Sequence, residues 1–269
     1  MNEGVQRPAA PAAVLARLIE RAGSVVALTG AGISVPSGIP DFRSPGTGLW
    51  AKVNPMKVAH IDAFRRDPVR FWSFYGQRFQ TLEDKQPNGA HAALVELERV
   101  GLLDAVITQN IDRLHARAGT QNLVEVHGSI SHSSCLVCGL RYELGDVRAR
   151  LSEDGEGVPR CDCGKPLKPD VVLFGELLPV AAFAQAEALA AGAGLMLCIG
   201  SSLEVYPAAG LPETTLAGGG RIAILTQGPT PFDRRAAVRM GGDVVEELEA
   251  VLTELALPSP TAPAPPPGP

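Results

Sequence analysis

Ser24-Val-Val-Ala-Leu-Thr-Gly-Ala-Gly-Ile-Ser34 is the stretch on which the fold reading turns. Residues 24–28 form an apolar run of strand length, and a Gly-x-Gly turn follows at once. Glycines after a strand let the backbone approach a pyrophosphate closely, and nearby N–H groups can hold the phosphates. Such a turn is also often only a tight turn, so these residues leave both readings open. The chain continues as Val35-Pro-Ser-Gly-Ile-Pro-Asp-Phe-Arg-Ser44, too rich in Gly, Pro and Ser for a plain helix. That composition suits an ordered loop over a ligand.

Outward from this stretch the apolar run recurs, at residues 105–108, 123–126, 171–174, 195–199 and 221–225. Near-continuous apolar strands are expected where both faces of a sheet are covered. Amphipathic helical stretches lie between several of them. Val14, Leu15, Leu18 and Ile19 share one face before Gly23, Leu94 and Leu97 precede Gly101, and Val244, Val245, Leu248, Val251, Leu252 and Leu255 repeat at helical spacing. Six runs with intervening helices predict an α/β fold built on an open, mostly parallel sheet. Two segments break the rhythm and read as insertions packed to one side: residues 45–86, aromatic-rich and helical, and residues 132–166, which hold paired cysteines.

The bulk numbers agree with one main core and an embedded smaller module in 269 residues. Hydrophobic residues make up 45% and charged residues 20%, the range of a globular protein. Twenty-four Lys and Arg against 29 Asp and Glu give a net charge of −5, which disfavours a nucleic-acid-binding face. No basic-then-apolar leader opens the chain and no long uncharged apolar run occurs, so we expect no membrane span and a cytoplasmic location. Residues 258–269 carry seven of the 23 prolines and read as a disordered tail, because proline removes donors and fixes φ.

Five further motifs carry chemistry. Thr108-Gln-Asn-Ile-Asp-Arg-Leu-His115 sits at a strand end, where Gln109, Asn110 and Asp112 either face a ligand crevice or cap a helix. In Glu125-Val-His-Gly-Ser129, His127 is a candidate general base; a lone histidine is also often structural, as His60, His91, His115 and His132 read. Cys135-Leu-Val-Cys138 and Cys161-Asp-Cys163 offer four thiolates for a tetrahedral zinc with no open position, hence a structural metal. Cys198, in an apolar strand, reads as an inert core thiol. Val172-Leu-Phe-Gly-Glu176 and Gly200-Ser-Ser-Leu-Glu-Val-Tyr-Pro207 supply small residues at strand ends.

Taken together and in this order, residues 30–50, 108–119, 126–129, the paired cysteines, 168–176 and 200–210 resemble the sirtuins, NAD-dependent protein-lysine deacylases, and most of all the bacterial single-domain members. The resemblance implies a Rossmann-like NAD-binding domain from residues 11–44, 87–131 and 167–257, a helical module at 45–86 and a zinc module at 132–166. It also implies roles. Gly30, Ala31, Gly32 and Ser34 would hold the pyrophosphate, and Asp41, Phe42 and Arg43 would cover the nicotinamide ribose. Gln109, Asn110, Ile111 and Asp112 would bind nicotinamide and ribose, with Asn110 and Asp112 also catalytic and His127 the base. Gly200, Ser201, Ser202, Thr226 and Val244 would line the adenosine side. Val172, Phe174 and Gly175 would line the acyl-lysine cleft, partly by adding a substrate strand to an edge.

In the implied mechanism the acyl oxygen attacks the ribose carbon, nicotinamide leaves, and His127 deprotonates a ribose hydroxyl that attacks the imidate. Lysine and O-acyl-ADP-ribose are released, so NAD is consumed, and acyl-lysine proteins are the partners. Three departures stand out: the second metal pair is Cys-x-Cys, Thr226 stands where the family often has Asn, and Tyr75 with Arg78 resembles the Tyr-x-x-Arg of members that remove succinyl or malonyl groups. An arginine there can pair with an acyl carboxylate. The competing readings are that acidic-acyl preference, a mono-ADP-ribosyltransferase and a non-enzymatic NAD sensor; His127 with Asn110 and Asp112 favours an enzyme. The residues name no substrate protein and no oligomeric state.

Overall fold

Six strands form one parallel sheet in the computed structural model, which describes residues 10–41, 48, 54–153 and 155–258. They are β1 (Val25–Thr29), β2 (Ala105–Thr108), β3 (Leu123–Glu125), β7 (Leu195–Ile199), β8 (Arg221–Leu225) and β9 (Val238–Met240), in the order β3-β2-β1-β7-β8-β9. Three others, β4 (Gly128–Cys135), β5 (Arg141–Glu143) and β6 (Leu167–Val171), form a separate antiparallel sheet in the order β5-β4-β6. With that small sheet set aside, the large one has the doubly wound Rossmann order, whose direction of winding reverses between β1 and β7.

Every position of β1 and β7 is buried because helices cover both faces. The side chains alternate strictly. Val25, Ala27, Leu195 and Leu197 face a core shared with α1 (Pro11–Arg21), α5 (Gly89–Arg99) and α10 (Val244–Glu254). Val26, Leu28, Met196 and Cys198 face α8 (Val180–Gly192) and α9 (Leu211–Ala217). Cys198 is a core thiol as expected, and burial pushes it up to about 12. A short helix, α6 (Leu114–Ala118), follows β2.

The two insertions prove to be one body. α2 (Pro55–Val58), α3 (Ile61–Arg66) and α4 (Pro68–Glu83) share a core with the small sheet and α7 (Leu144–Glu153). Trp72 Nε1 donates to the Leu167 carbonyl at 2.9 Å, joining α4 to β6. The small sheet also passes the expected 132–166 boundaries at both ends, since β4 begins at Gly128 and β6 runs to Val171.

Two strand expectations are corrected. The run at 171–174 is not a strand of the large sheet: Val171 ends β6, and Phe174 is 40% exposed. The sixth large-sheet strand is β9, three residues at the sheet edge and too short for a periodic signal. The proline-rich tail lies outside the described residues beyond Pro258.

At the switch point, backbone touches backbone. Gly200 has φ +61°, and a Cβ there would lie 2.3 Å from the Ile33 nitrogen. Gly23 shares the left-handed conformation, with φ +68°, but a Cβ there meets nothing within 4 Å. Gly200→Ala is expected to cost clearly more in urea denaturation than Gly23→Ala, whose penalty is the conformational one of about 1 kcal/mol. Equal midpoints for the two variants would contradict the close packing.

Candidate active site

The crevice opens where β1 and β7 part. After β1 the chain enters a 3-10 helix, Ala31–Ser37. Gly30 N–H donates to the Ile199 carbonyl at 2.9 Å, and Gly32 N–H to that of Gly200 at 2.8 Å. The two glycine N–H groups therefore clamp the β7 turn. Gly30 and Gly32 let the two turns pack this closely, since a Cβ on either would strike Gly200 or Ser201 within 3 Å. Ala31 is half-buried and Ser34 buried in the same turn.

Asn110, Ser34 and Asp112 form a buried polar cluster below that turn. Asn110 Nδ2 donates to the Gly30 carbonyl at 3.0 Å and to Ser34 Oγ at 3.2 Å. Ser34 Oγ donates to Asp112 Oδ2 at 2.6 Å, and Asp112 Oδ1 accepts from the Leu114 N–H at 2.9 Å. Capping is thus half of Asp112's role and none of Asn110's. Burial raises the Asp112 pKa; the Ser34 hydroxyl, the Leu114 N–H and nearby Arg78 oppose that rise.

Under the cluster lies a network that the sequence reading left out. Thr29 and Thr108, register partners at the ends of β1 and β2, share a 2.9 Å hydrogen bond donated by Thr29. His115 Nε2 lies 2.9 Å from Thr29 Oγ1, so that nitrogen carries the proton. The Asn110 N–H donates to Thr108 Oγ1 at 3.1 Å. His91 packs against His115, ring centroids 4.8 Å apart, and burial lowers the pKa of His91 to about 4 and that of His115 well below the usual value.

His127 Nδ1 lies 2.9 Å from the Gln109 carbonyl oxygen. A carbonyl only accepts, so the neutral ring carries its proton on Nδ1 and leaves the Nε2 lone pair as a base. Burial lowers the His127 pKa, and the Gln109 carbonyl partly opposes that. Gln109 Nε2 donates to Ser201 Oγ at 3.0 Å, which brings the β7 turn to the same point. Ile111 is half-buried against the small-module core, and its carbonyl accepts from the Ile130 N–H at 3.2 Å. Ser202 and Thr226 are half-buried, Thr226 directly after β8, and Val244 opens α10 after β9, all at the C-terminal edge of the sheet. Asp41 is half-buried, while Phe42 and Arg43 lie outside the described residues.

On the acyl side, the Val172 N–H donates to the His127 carbonyl at 2.8 Å. The Phe174 N–H and carbonyl are already bonded to Ala59 and Ile61, at 2.8 and 3.0 Å. Phe174 itself is therefore not an open edge for strand addition. Gly175 follows with φ +84°, where a Cβ would meet the His60 ring at 2.8 Å. Tyr75 is only 6% exposed and stacks on Phe71 at 4.4 Å, and burial pushes its hydroxyl up to about 12. Arg78 is half-buried, within electrostatic reach of Tyr75 and Asp112.

The cysteine set converges as expected. The four Sγ atoms of Cys135, Cys138, Cys161 and Cys163 all lie within 4.8 Å of one another. Cys135–Cys163 and Cys138–Cys161 are 3.6 and 3.4 Å apart, near the roughly 3.8 Å that a tetrahedron with Zn–S bonds of about 2.3 Å requires. Cys-x-Cys thus delivers both of its sulfurs. Tyr142 OH accepts from the Asp162 N–H at 3.1 Å, which leaves its proton for Cys161 Sγ at 3.3 Å and lowers that thiol's pKa to about 6.

The family model described as Sir2 family matches residues 30–207. The chain is 48% identical to an NAD-dependent protein deacetylase of Sulfolobus acidocaldarius, covering 90% of this chain and 92% of that one. It is 43% identical to an NAD-dependent protein deacylase of Thermus thermophilus, over 87% and 91%. Among solved structures it resembles a Sir2 protein with a deacetylated p53 peptide and 3′-O-acetyl-ADP-ribose (TM-score 0.86, 42% identity, 91% of this chain and 98% of that one). It also resembles a Sir2 protein bound to a propionylated peptide (TM-score 0.83, 41% identity, 91% and 98%).

The purified chain is expected to contain one zinc per molecule by elemental analysis. Cys161→Ser should lose the metal and lower the unfolding temperature, because metal binding is coupled to folding of such a module. Cys198→Ser should retain full zinc. Zinc retained by Cys161→Ser would remove Cys161 from the ligand set.

Proposed function

The chain belongs to the Sir2 family, and from that premise we propose how its residues carry out NAD-dependent removal of acyl groups from protein lysines. NAD, consumed as cosubstrate, supplies the electrophilic ribose carbon and gives up nicotinamide. The observation that carries the reading is the His127 tautomer, since with Nδ1 bonded to the Gln109 carbonyl the Nε2 lone pair is kept as a base, which serves catalysis and not storage.

Gly30, Gly32 and Gly200 pack the two strand-end turns together at backbone level, and the pyrophosphate lies along these turns. Asn110 and Asp112 sit at the nicotinamide end, held by Ser34. The Asp112 carboxylate, oriented before reaction, stabilises positive charge developing on the ribose. Gln109, Ser201, Ser202, Thr226 and Val244 border the adenosine side. His127 Nε2 takes the proton of a ribose hydroxyl, and that oxygen attacks the acyl carbon once the acyl oxygen has displaced nicotinamide. Water then frees the lysine and O-acyl-ADP-ribose. A substrate strand pairs beyond Phe174, whose own main-chain groups are occupied. A cytoplasmic location accords with a set of four reduced cysteines. Among the described residues no helix is long and apolar enough to cross a membrane.

The test is incubation with NAD and an acetyl-lysine peptide, following nicotinamide and O-acetyl-ADP-ribose. No turnover by zinc-loaded protein would refute deacylation. Nicotinamide release with ADP-ribose left on a protein side chain would favour the transferase reading. NAD binding without chemistry would favour the sensor. His127→Ala should lose about 10²- to 10⁴-fold in deacylation. It should still exchange labelled nicotinamide, because His127 acts after that bond breaks. His127 works unprotonated, and its pKa is lowered by burial, so activity is lost only as pH falls through a midpoint below 6.5. An acid limb centred above 6.5 in kcat/KM would contradict the assignment.

A second reading concerns the acyl group. Arg78 lies within electrostatic reach of Asp112, which favours an acidic acyl chain paired to Arg78. Arg78→Met should lower turnover of succinyl-lysine peptide and spare acetyl-lysine peptide. Equal losses on both would assign Arg78 to supporting Asp112 instead.

A further inference from the structure

Lys168 is a buried cation, 7% exposed, on β6. Its ammonium lies 2.8 Å from Glu176 Oε2 and donates to the carbonyls of Pro169 at 3.0 Å and Val171 at 2.9 Å. Three acceptors match its three protons. Glu176 Oε2 also accepts from the Leu173 N–H at 2.9 Å, and the Glu176 N–H donates to the Leu173 carbonyl at 3.0 Å. These bonds run to the main chain between 169 and 176, the same segment that bears Val172, Phe174 and Gly175.

A buried ion pair is a poor source of stability, because desolvation offsets most of the attraction. Apolar replacement of both partners is often neutral, whereas removing one leaves a buried charge without its counterion. The bonding pattern instead dictates the path of the chain. On its far side the segment is anchored by Val172 to the His127 carbonyl and by Phe174 to residues 59 and 61. The Lys168–Glu176 pair ties the turn from Leu173 to Glu176 back onto β6. None of its bonds reaches Gly30, Gly200 or Ser201, where NAD is expected.

We propose that Lys168 and Glu176 are positioning residues for the acyl-lysine substrate, their ion pair holding residues 171–175 in the shape that receives the substrate backbone. The proposal rests on the deacylase reading. It separates substrate placement from NAD placement, and it assigns the pair to shape and not to overall stability.

The experiment compares Lys168→Met, Glu176→Gln and the double variant Lys168→Met/Glu176→Leu with the parent protein. Unfolding temperature, zinc content and KM for acetyl-lysine peptide and for NAD are measured. The single Lys168→Met should melt lower, with its glutamate left unpaired. The double variant should recover most of that loss, yet keep a peptide KM raised about tenfold with NAD KM within about twofold of the parent. Glu176→Gln retains an acceptor for the Leu173 N–H and should fall between. A double variant with the parent's peptide KM would make the pair merely structural, and NAD KM rising in step would deny it a substrate-specific role. Should the double variant not fold, Glu176→Gln decides alone, with a peptide KM equal to the parent's overturning the proposal. No turnover by the parent itself would refute the deacylase reading, whereas parent turnover with unchanged variant constants refutes only the positioning role.

Discussion

The site depends on how Gln109 is held. Its N–H donates to the Thr29 carbonyl at 3.0 Å, its carbonyl receives His127 Nδ1 at 2.9 Å, and its side-chain amide reaches Ser201 at 3.0 Å. One residue thus ties the ends of β1 and β2 to the turns that follow β3 and β7. The partner of the His127 imidazole is a neutral carbonyl and not a carboxylate. A carboxylate would stabilise the protonated ring and raise its pKa. A carbonyl fixes the tautomer while leaving burial dominant, so the base stays free at neutral pH.

The floor beneath uses the same economy. Thr29 and Thr108 end apolar strands with hydroxyls that face each other in register, and their bond aligns the Asn110 N–H. His115 supports the pair from below as a neutral ring, backed by His91. Burying neutral imidazoles costs far less than burying charges. The consequence is a rigid base for Asn110 and Asp112 that places no second charge beside the Asp112 carboxylate.

How much of this was legible follows from which residues carry periodic or local signals. β1, β2, β7 and β8 read clearly because helices cover both faces and their inner positions are apolar. The same rule misled at 171–174, where apolar side chains serve the small module and the substrate edge. β9 offers three residues and no period. The cysteine quartet was legible because metal ligands come in close sequence pairs. Roles for Asn110, Asp112 and His127 came from family resemblance; their residue types alone left capping and structural alternatives open. The Thr29–His115 contact and the Lys168–Glu176 pair had no local signal, since each depends on where the chain returns after a turn or a crossover.

The fusion of the two insertions gives the metal a reach beyond its own module. β4 carries Cys135 and pairs with β6, with Cys135 opposite Leu167 and Ser134 opposite Lys168. Leu167 holds Trp72 of α4, the helix that also bears Tyr75 and Arg78. Lys168 in turn shapes the segment leading to Phe174 and Gly175. A zinc that closes the cysteine cluster touches no reacting atom. By fixing β4 it fixes the register of β6, and β6 leads both to α4 and to residues 171–175. The cysteine cluster and the segment after β6 are therefore two ends of one packed unit, separate from the core of the parallel sheet.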